Sequence, residues 1–191
     1  MNRAVFLDRD GVINAAIYNP VEGKLDSPYT LQDFRLLPGA AQAIRGINGL
    51  GFLAVVVSNQ PGVAKAKCDR AFLEALDQRL NWELARQDAH LDAIYYCLHH
   101  PQAQVESLRA SCDCRKPQPG LLLRAARELD IDLARSYMVG DSPTDVAAGL
   151  AAGCRTILLS DDDDPPVNGH RPHFVATDLA AAVRVIAEGR R

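Results

Sequence analysis

The chain has 191 residues, 48% of them apolar, and it carries a formal net charge of -3. These values predict a single globular domain over residues 1–191, and the acidic balance disfavours a general nucleic-acid binder. No apolar run approaches the roughly 20 residues that a membrane-spanning helix needs, and charges at residues 8–10 argue against a signal peptide. We therefore expect a cytoplasmic protein whose five cysteines are thiols or metal ligands.

Strand-like and helix-like runs alternate along the chain, as in an α/β protein. The predicted elements of the first half are a strand over 5–7, a loop-rich segment over 14–34, a helix from 38 to about 49, a valine-rich strand over 52–57 and a helix after Asp69 that buries Phe72, Leu76, Leu80 and Leu84. Those of the second half are a strand over 93–97, an irregular loop up to residue 119, a helix over 121–129, a strand over 137–139, a helix over 144–152, a strand over 156–159, a loop over 161–166 and a helix over 179–188. Such strand–helix units predict a doubly wound parallel sheet with helices on both faces.

Two carboxylates follow the first predicted strand. Asp8 and Asp10 are separated by one residue, and Gly11 comes directly after them. Residues i and i+2 of an extended segment share a side, so the two acids can face one ligand. Taken alone, the pair is better explained as two solvated loop acids. At the carboxyl edge of a parallel sheet, however, unpaired acids are unfavourable unless a cation or a substrate uses them.

Polar residues also follow the next predicted strands. Ser58 and Asn59 end the valine-rich strand, Asp141 follows a later strand, and Arg115 and Lys116 lie in the loop between them. In a parallel sheet these strand ends meet at one edge, so residues far apart in the sequence converge. Carboxylates suit Mg²⁺, whereas cations, hydroxyls and amides suit phosphate. The pattern therefore predicts a magnesium-dependent site for a phosphate ester.

These residues resemble, in the same order, the four motifs of the haloacid dehalogenase (HAD) superfamily of phosphohydrolases. The matching residues are Asp8, Asp10, Gly11, Val12, Ser58, Asn59, Lys116, Asp141 and Asp145. The narrower resemblance, over residues 58–64, 94–97 and 112–117, is to the D-glycero-D-manno-heptose 1,7-bisphosphate phosphatases and the related histidinol-phosphate phosphatases. The resemblance to the superfamily covers nearly the whole chain and implies a Rossmann-like HAD fold. The segments between the motifs are too short for a large cap domain.

The resemblance implies a two-step hydrolysis. Asp8 would attack phosphorus and form an aspartyl-phosphate, while Asp10 would protonate the leaving oxygen and later accept a proton from water. Mg²⁺ would bind the Asp8 carboxylate, the Asp10 backbone carbonyl and Asp141.

The resemblance also implies the substrate and its contacts. Ser58 and Asn59 would hold phosphoryl oxygens, with Lys116 and Arg115 supplying positive charge. The expected substrate is a small sugar phosphate, in first place the C7 phosphate of a heptose 1,7-bisphosphate made as a lipopolysaccharide precursor. Histidinol phosphate and a less specific sugar-phosphate range are the alternatives, and we expect a monomer.

The chain departs from the family pattern at two positions. Val12 stands where the superfamily often has threonine, and Ser142 stands where close relatives often have lysine. The second change removes a possible cationic contact, which bears on specificity rather than on the reaction. For Asp145, two interpretations stay open, since it could orient Lys116 or act as an acid in the first turn of a helix.

The cysteine-rich loop predicts a second metal site. Its candidate ligands are Cys97, His99, Cys112 and Cys114. Three thiolates and one imidazole form a closed tetrahedral zinc site, and heptose bisphosphate phosphatases resemble the chain here too. Free thiols are the alternative, and His100 could replace His99. We expect a structural zinc ion that fixes the segment presenting Arg115 and Lys116.

The remaining features carry weaker interpretations. Lys65 and Lys67 could reach a second phosphate or form a solvated basic loop, and the acidic run over 161–164 is expected to be a solvated loop. Cys68 and Cys154 are expected to be ordinary buried residues. Two other functions stay open: a receiver-like phosphorylation switch, which would have no need for an acid–base Asp10, and a zinc-dependent nucleic-acid module.

Overall fold

The central sheet contains six parallel strands among the residues that the structure describes, which are 1–20, 22–162 and 169–189 of a computed structural model. The elements in chain order are β1 (Ala4–Leu7), β2 (Ile17–Asn19), β3 (Lys24–Asp26), α1 (Ala40–Gly49), β4 (Leu53–Asn59), α2 (Arg70–Ala85), β5 (Ala93–Cys97), α3 (Gly120–Glu128), β6 (Tyr137–Gly140), α4 (Pro143–Ala152), β7 (Arg155–Leu159), β8 (Phe174–Ala176) and α5 (Leu179–Glu188). Short 3₁₀ turns span Glu106–Leu108 and Leu133–Arg135.

The strand order is β5-β4-β1-β6-β7-β8, and neighbouring strands run parallel. The chain moves outward from β1 through β4 to β5, then returns to β6 and moves outward in the other direction. This reversal confirms the predicted doubly wound sheet. Ligands in such sheets bind outside the carboxyl ends of the strands at the point of reversal, which here lies between β1 and β6.

Helices cover both faces of the sheet. α1, α2 and α5 pack on one face, and α3 and α4 pack on the other. The alternation of side chains along β1 shows why both faces are apolar, since Val5 and Leu7 join the first layer whereas Ala4 and Phe6 join the second. This three-layer packing fixes the strand ends from which the site is built.

The segment predicted as loop-rich contains a small antiparallel hairpin, formed by β2 and β3. The sequence gives little signal for it because these strands are three residues long and Tyr18 and Leu25, which pair across it, are exposed. The edge strand β8 was also missed, for the same reason of length and exposure. In α2 the predicted N-cap is confirmed, as the Asp69 side chain accepts from the Phe72 N–H at 2.7 Å.

Three further predictions concern a helix face, a cap domain and a loop. The buried stripe of α2 begins at Leu73 rather than at Phe72, which is only partly buried. Between the motifs, the described residues contain no insertion large enough to form a separate cap domain. Of the predicted acidic loop over 161–166, Asp161 and Asp162 are exposed, and residues 163–166 lie outside the described residues.

None of the helices in the described part of the chain combines the length and the apolar character that a bilayer crossing requires.

Candidate active site

Carboxylates from neighbouring strands meet at the point where the strand order reverses. Asp8 follows β1 and Asp141 follows β6, and the Asp8 N–H donates to the Val139 carbonyl at 3.0 Å. One oxygen each of Asp8, Asp141 and Asp145 lies within 4.8 Å of the others. The predicted convergence of Asp8 and Asp141 at one sheet edge is therefore what the fold produces.

Gly11 allows the loop after β1 to approach Asp141. Its φ is +87°, and a Cβ atom built there would lie 1.9 Å from Asp141 Oδ2. Both the left-handed backbone and the missing side chain are needed at this position. A glycine at 11 therefore sets how closely the Asp8 loop and Asp141 can pack.

Lys116 lies beneath these carboxylates and is almost fully buried, with 3% of its surface exposed. Its Nζ atom is 3.0 Å from Asp8 Oδ1, 2.5 Å from Asp145 Oδ1 and 2.8 Å from the Val57 carbonyl oxygen, to which it donates. Burial alone would lower the pKa of Lys116, but the charges of Asp145 and Asp8 outweigh it and raise this pKa. The lysine is therefore held as a cation.

The charge balance of this group fits a metal ion. Burial and the charge of Asp8 raise the pKa of Asp141 to about 6 against the opposing effect of Lys116, so the negative charge here is not fully compensated. A divalent cation among oxygen ligands would remove that excess of negative charge, and Mg²⁺ prefers carboxylate oxygens. The residues present thus fit the predicted magnesium site.

Asp145 has both of the roles that the sequence left open. Its Oδ1 lies against Lys116, and its Oδ2 accepts from the Ser142 N–H at 3.1 Å in a capping box at the start of α4. Burial raises the pKa of Asp145 to about 7, against the opposing effect of Lys116. The Ser142 side chain completes the cap by accepting from the Thr144 N–H at 3.2 Å.

Asp10 is held by donors from four parts of the chain. Asn14 Nδ2 donates to Oδ1 at 2.9 Å, while Ser27 Oγ and Gln60 Nε2 donate to Oδ2 at 2.9 and 2.7 Å. The Arg9 guanidinium lies 3.2 Å from Oδ2. Burial would raise the pKa of Asp10, but Arg9 and these hydrogen bonds hold it below its usual range.

None of these four donors was predicted as a site residue. Gln60 belongs to the motif over 58–64, and its buried side chain also donates to Ser58 Oγ at 3.1 Å. Ser27 follows β3 and reaches Asp10 through the fold of the hairpin, which no spacing in the sequence indicates.

The side chain of Asn59 faces the backbone of Lys116. Asn59 Nδ2 donates to the Lys116 carbonyl and Oδ1 accepts from the Lys116 N–H, each at 3.0 Å. Both polar ends of this amide are thus engaged in holding Lys116.

A cleft of about 230 Å³ nevertheless gathers most of the predicted site residues. Its lining includes Asp8, Asp10, Ser27, Ser58, Asn59, Arg115 and Asp141.

The four predicted zinc ligands are also brought together. Cys97 Sγ lies 3.6 Å from Cys112 Sγ and 3.3 Å from Cys114 Sγ. Cys112 Sγ and Cys114 Sγ are 3.3 Å apart, and His99 Nδ1 is 3.4 Å from Cys114 Sγ. A tetrahedral site with zinc–sulfur bonds of ~2.3 Å has ligand separations of roughly 3.8 Å, so the cluster could hold a metal ion. His100 instead accepts from the Gln102 N–H, which favours His99 as the ligand.

Two of the three thiols of this cluster are disfavoured as anions. Burial raises the pKa of Cys97 and of Cys114. The pKa of Cys112 is lowered, against burial, because the other two thiols donate to it. Three thiolates would therefore require a bound cation. The cluster also touches the cationic segment, since Arg115 Nη1 donates to the His99 carbonyl at 3.3 Å.

The basic loop after β4 is paired with the hairpin. Lys67 Nζ contacts Glu22 and lies 2.8 Å from Asp26 Oδ2, and Lys65 Nζ is 3.5 Å from Glu22. These contacts support neither a solvated loop nor a free phosphate contact.

The prediction for Cys68 was wrong, because its side chain is only partly buried, whereas Cys154 is buried as predicted.

Comparisons with known proteins agree with this geometry. A family model described as HAD-hydrolase-like matches residues 113–182. The D-glycero-beta-D-manno-heptose-1,7-bisphosphate 7-phosphatase of Escherichia coli (strain K12) is 46% identical over 158 residues, which cover 82% of this chain and 78% of that protein. The chain belongs to the heptose-bisphosphate phosphatase family of HAD-like hydrolases.

Further relatives of this family support the assignment. The protein of the same name from Salmonella typhi is 44% identical over 158 residues, covering 82% of this chain and 79% of that protein. The crystal structure of D,D-heptose 1.7-bisphosphate phosphatase from B. bronchiseptica, complexed with magnesium and phosphate, matches with a TM-score of 0.81 and 32% identity. That match covers 98% of this chain and 99% of the other. The chain is therefore a phosphatase, which favours this interpretation over a receiver-like switch.

Proposed function

We propose that the chain removes the C7 phosphate of D-glycero-β-D-manno-heptose 1,7-bisphosphate through an aspartyl-phosphate at Asp8. The observation that carries the proposal is the meeting of Asp8, Asp141 and Lys116 at one sheet edge in a chain 46% identical to a curated enzyme of that name. The β anomer is taken from the names of such relatives.

Asp8 attacks the phosphorus atom, and the chain's own cations stabilise the charge that moves onto the phosphoryl group. Lys116 lies 3.0 Å from the attacking carboxylate, and Arg115 lines the same cleft. Ser58 and Asn59 lie at the end of β4, where they hold phosphoryl oxygens. Because the side-chain amide of Asn59 is engaged with Lys116, its contribution includes keeping that lysine in place.

Asp10 transfers the protons of both steps. In its protonated form, which Arg9 and its other donors disfavour in the free enzyme, it gives a proton to the departing sugar oxygen. It then takes a proton from the water that hydrolyses the aspartyl-phosphate. Its donors Asn14, Ser27 and Gln60 fix the direction of its carboxyl group toward the cleft. An alkoxide is a poor leaving group, so this proton is needed at the moment the phosphorus–oxygen bond breaks.

Two metal ions belong to the proposal. Asp8, Asp141 and the backbone carbonyl of Asp10 would hold Mg²⁺, which when bound supplies positive charge to the phosphoryl oxygens. The related structure that contains magnesium and phosphate supports this choice. The cluster formed by Cys97, His99, Cys112 and Cys114 would hold a structural Zn²⁺, with the role of fixing the loop that presents Arg115 and Lys116.

The proposed groups all belong to one chain, which supports a monomer acting as a single domain over residues 1–191. A doubly phosphorylated sugar does not cross a bilayer unaided, and this supports a cytoplasmic location.

The test is phosphate release by the purified protein from heptose 1,7-bisphosphate, histidinol phosphate and other sugar phosphates, with and without Mg²⁺. We expect the highest kcat/KM for the heptose bisphosphate, dependence on Mg²⁺, and loss of activity in Asp8→Asn. Equal or better turnover of histidinol phosphate would overturn the choice of substrate. Undiminished activity of Asp8→Asn would overturn the mechanism.

A further inference from the structure

The arginine between the two catalytic aspartates is completely buried. Arg9 has 0% of its surface exposed, although arginine is rarely buried without a partner. Taking a guanidinium out of water is strongly unfavourable unless charges and hydrogen bonds compensate it. The proposed reaction gives Arg9 no role, and the reason for its burial lies in the groups that it contacts.

Arg9 joins Asp10 to a tyrosine of β5. Its Nη2 donates to Asp10 Oδ2 and Oδ1 at 3.2 and 3.3 Å, and its Nε donates to Oδ1 at 3.4 Å. On the other side, Nη1 donates to the Tyr96 hydroxyl oxygen at 3.0 Å. The guanidinium carbon lies 5.2 Å from the centre of the Tyr96 ring. The arginine therefore contacts both oxygens of Asp10 while Tyr96 fixes its far end.

Asp77 of α2 fixes the direction of this contact. The Tyr96 hydroxyl donates to Asp77 Oδ1, so its own proton points away from Arg9 and its oxygen can accept from the guanidinium. The groups form a continuous chain of hydrogen bonds from the cleft to α2: Asp10, Arg9, Tyr96 and Asp77. Charges alternate along it, with a neutral hydroxyl between the cation and the outer carboxylate.

We propose that Arg9, held by Tyr96 and Asp77, is a positioning residue that aligns the Asp10 carboxyl group with the leaving oxygen of the substrate. The inference rests on the proposed function, because it assumes that Asp10 transfers a proton there. Asn14, Ser27 and Gln60 each hold one oxygen of Asp10, whereas Arg9 contacts both and so restricts rotation of the whole group.

This role has a chemical signature that a general loss of structure lacks. A sugar alkoxide must be protonated as it leaves, whereas p-nitrophenolate leaves readily without a proton. The value of kcat/KM reports phosphoryl transfer to Asp8, the step in which the leaving group departs. A misaligned Asp10 therefore lowers kcat/KM for alkyl phosphates far more than for p-nitrophenyl phosphate. A loosened fold lowers both alike.

The adjacent tyrosine provides a matched control. The Tyr95 hydroxyl donates to Glu128 of α3 at 2.8 Å, on the opposite side of the sheet from α2. Tyr96→Phe and Tyr95→Phe each remove one hydroxyl from β5 and leave the ring in place. We expect Tyr96→Phe to lower kcat/KM roughly tenfold for an alkyl phosphate and less than about twofold for p-nitrophenyl phosphate. Tyr95→Phe should leave kcat/KM unchanged for both substrates.

Asp77→Ala is the second variant, with an expected loss in the same direction but smaller, since it leaves the Arg9–Tyr96 contact possible. It also carries the test if Tyr96→Phe does not fold, as judged by thermal unfolding. Equal losses for both substrate types in the folded variants, or no loss in either, would overturn the inference.

Asp10→Asn, measured with the same two substrates, separates this inference from the proposed function. A selective loss with alkyl phosphates in Asp10→Asn, without one in Tyr96→Phe and Asp77→Ala, refutes the positioning role alone. If Asp10→Asn itself shows no selective loss, the proposed acid role of Asp10 fails, and the positioning role fails with it.

Discussion

Replacing Lys116 by methionine would remove the buried cation while keeping a side chain of similar length. The ammonium lies 3.0 Å from Asp8 Oδ1 and 2.5 Å from Asp145 Oδ1, and the side chains of Lys116 and Asp145 are each 1% exposed. Removing one partner of such a pair leaves an uncompensated buried charge, which costs about 3–5 kcal/mol. We expect Lys116→Met to lose that much stability near neutral pH and to lose its phosphatase activity.

The stability loss should depend on pH, and its sign follows from Asp145. The pKa of Asp145 is raised to about 7 by burial, so the folded protein holds this proton more tightly than the unfolded chain does. Such a group favours folding at low pH, and this contribution is lost as the pH rises through the folded pKa. Without Lys116 the carboxyl group depends still more on its proton. Lys116→Met should therefore be less destabilised, relative to the parent, at about pH 5 than at about pH 8.

Urea unfolding of the parent and Lys116→Met at both pH values measures this difference. Lys65→Met is the matched control, because Lys65 is 3.5 Å from Glu22 and its side chain is 21% exposed. A pair of that kind contributes less than about 1 kcal/mol. A loss in Lys116→Met no larger than in the control, or equal at both pH values, would refute the charge balance described for this site.

Three further predictions concern the metal sites. The apparent affinity for Mg²⁺ should weaken as the pH falls through about 6, because Asp141 then gains a proton and a neutral carboxyl group binds cations poorly. Removing the metal of the Cys–His cluster with a chelator should abolish activity that added Mg²⁺ does not restore, and Cys114→Ser should behave in the same way. Gly11→Ala should raise the Mg²⁺ concentration needed for activity by at least about tenfold, since the new methyl group would overlap the Asp141 carboxylate.

Each of these measurements has a matched control. In Asp141→Asn the apparent affinity for Mg²⁺ should not change as the pH falls below 6, because residue 141 can no longer gain a proton. An equally steep pH dependence of this affinity in the variant would contradict the role of the Asp141 carboxylate. Cys154 lies outside the cluster, so Cys154→Ser should keep both its metal content and its activity. Gly153 has a similar φ of +82° but open space around its Cβ position, so Gly153→Ala should not change the Mg²⁺ requirement. A like change in both glycine variants would point to backbone strain alone.

The sequence was sufficient to predict which acidic, basic and thiol side chains lie together. Asp8, Asp141 and Lys116 could be predicted to meet because parallel strands end at one edge, whatever the length of chain between them. The Cys–His cluster was predictable for a different reason, since its ligands lie within one loop and their chemistry suits zinc. Both predictions depended on residue type and on strand direction, and these are local properties.

The surroundings of Asp10 could not be predicted in this way. Ser27 reaches Asp10 from a hairpin of three-residue strands whose outer side chains are exposed, so no buried pattern marks it. An arginine is expected at the surface, yet Arg9 is buried and donates to Tyr96, which in turn donates to Asp77, and both partners lie far along the chain. Such contacts depend on how layers pack over the strand ends, which is tertiary information.

The most direct measurement is to trap the covalent intermediate. The protein would be quenched with acid during turnover of heptose 1,7-bisphosphate with Mg²⁺, reduced with borohydride and examined by peptide mass spectrometry. The mechanism predicts that Asp8 is converted to homoserine, in a reaction that needs both substrate and Mg²⁺. Full phosphate release with no reduction at Asp8, or reduction at another residue instead, would contradict it.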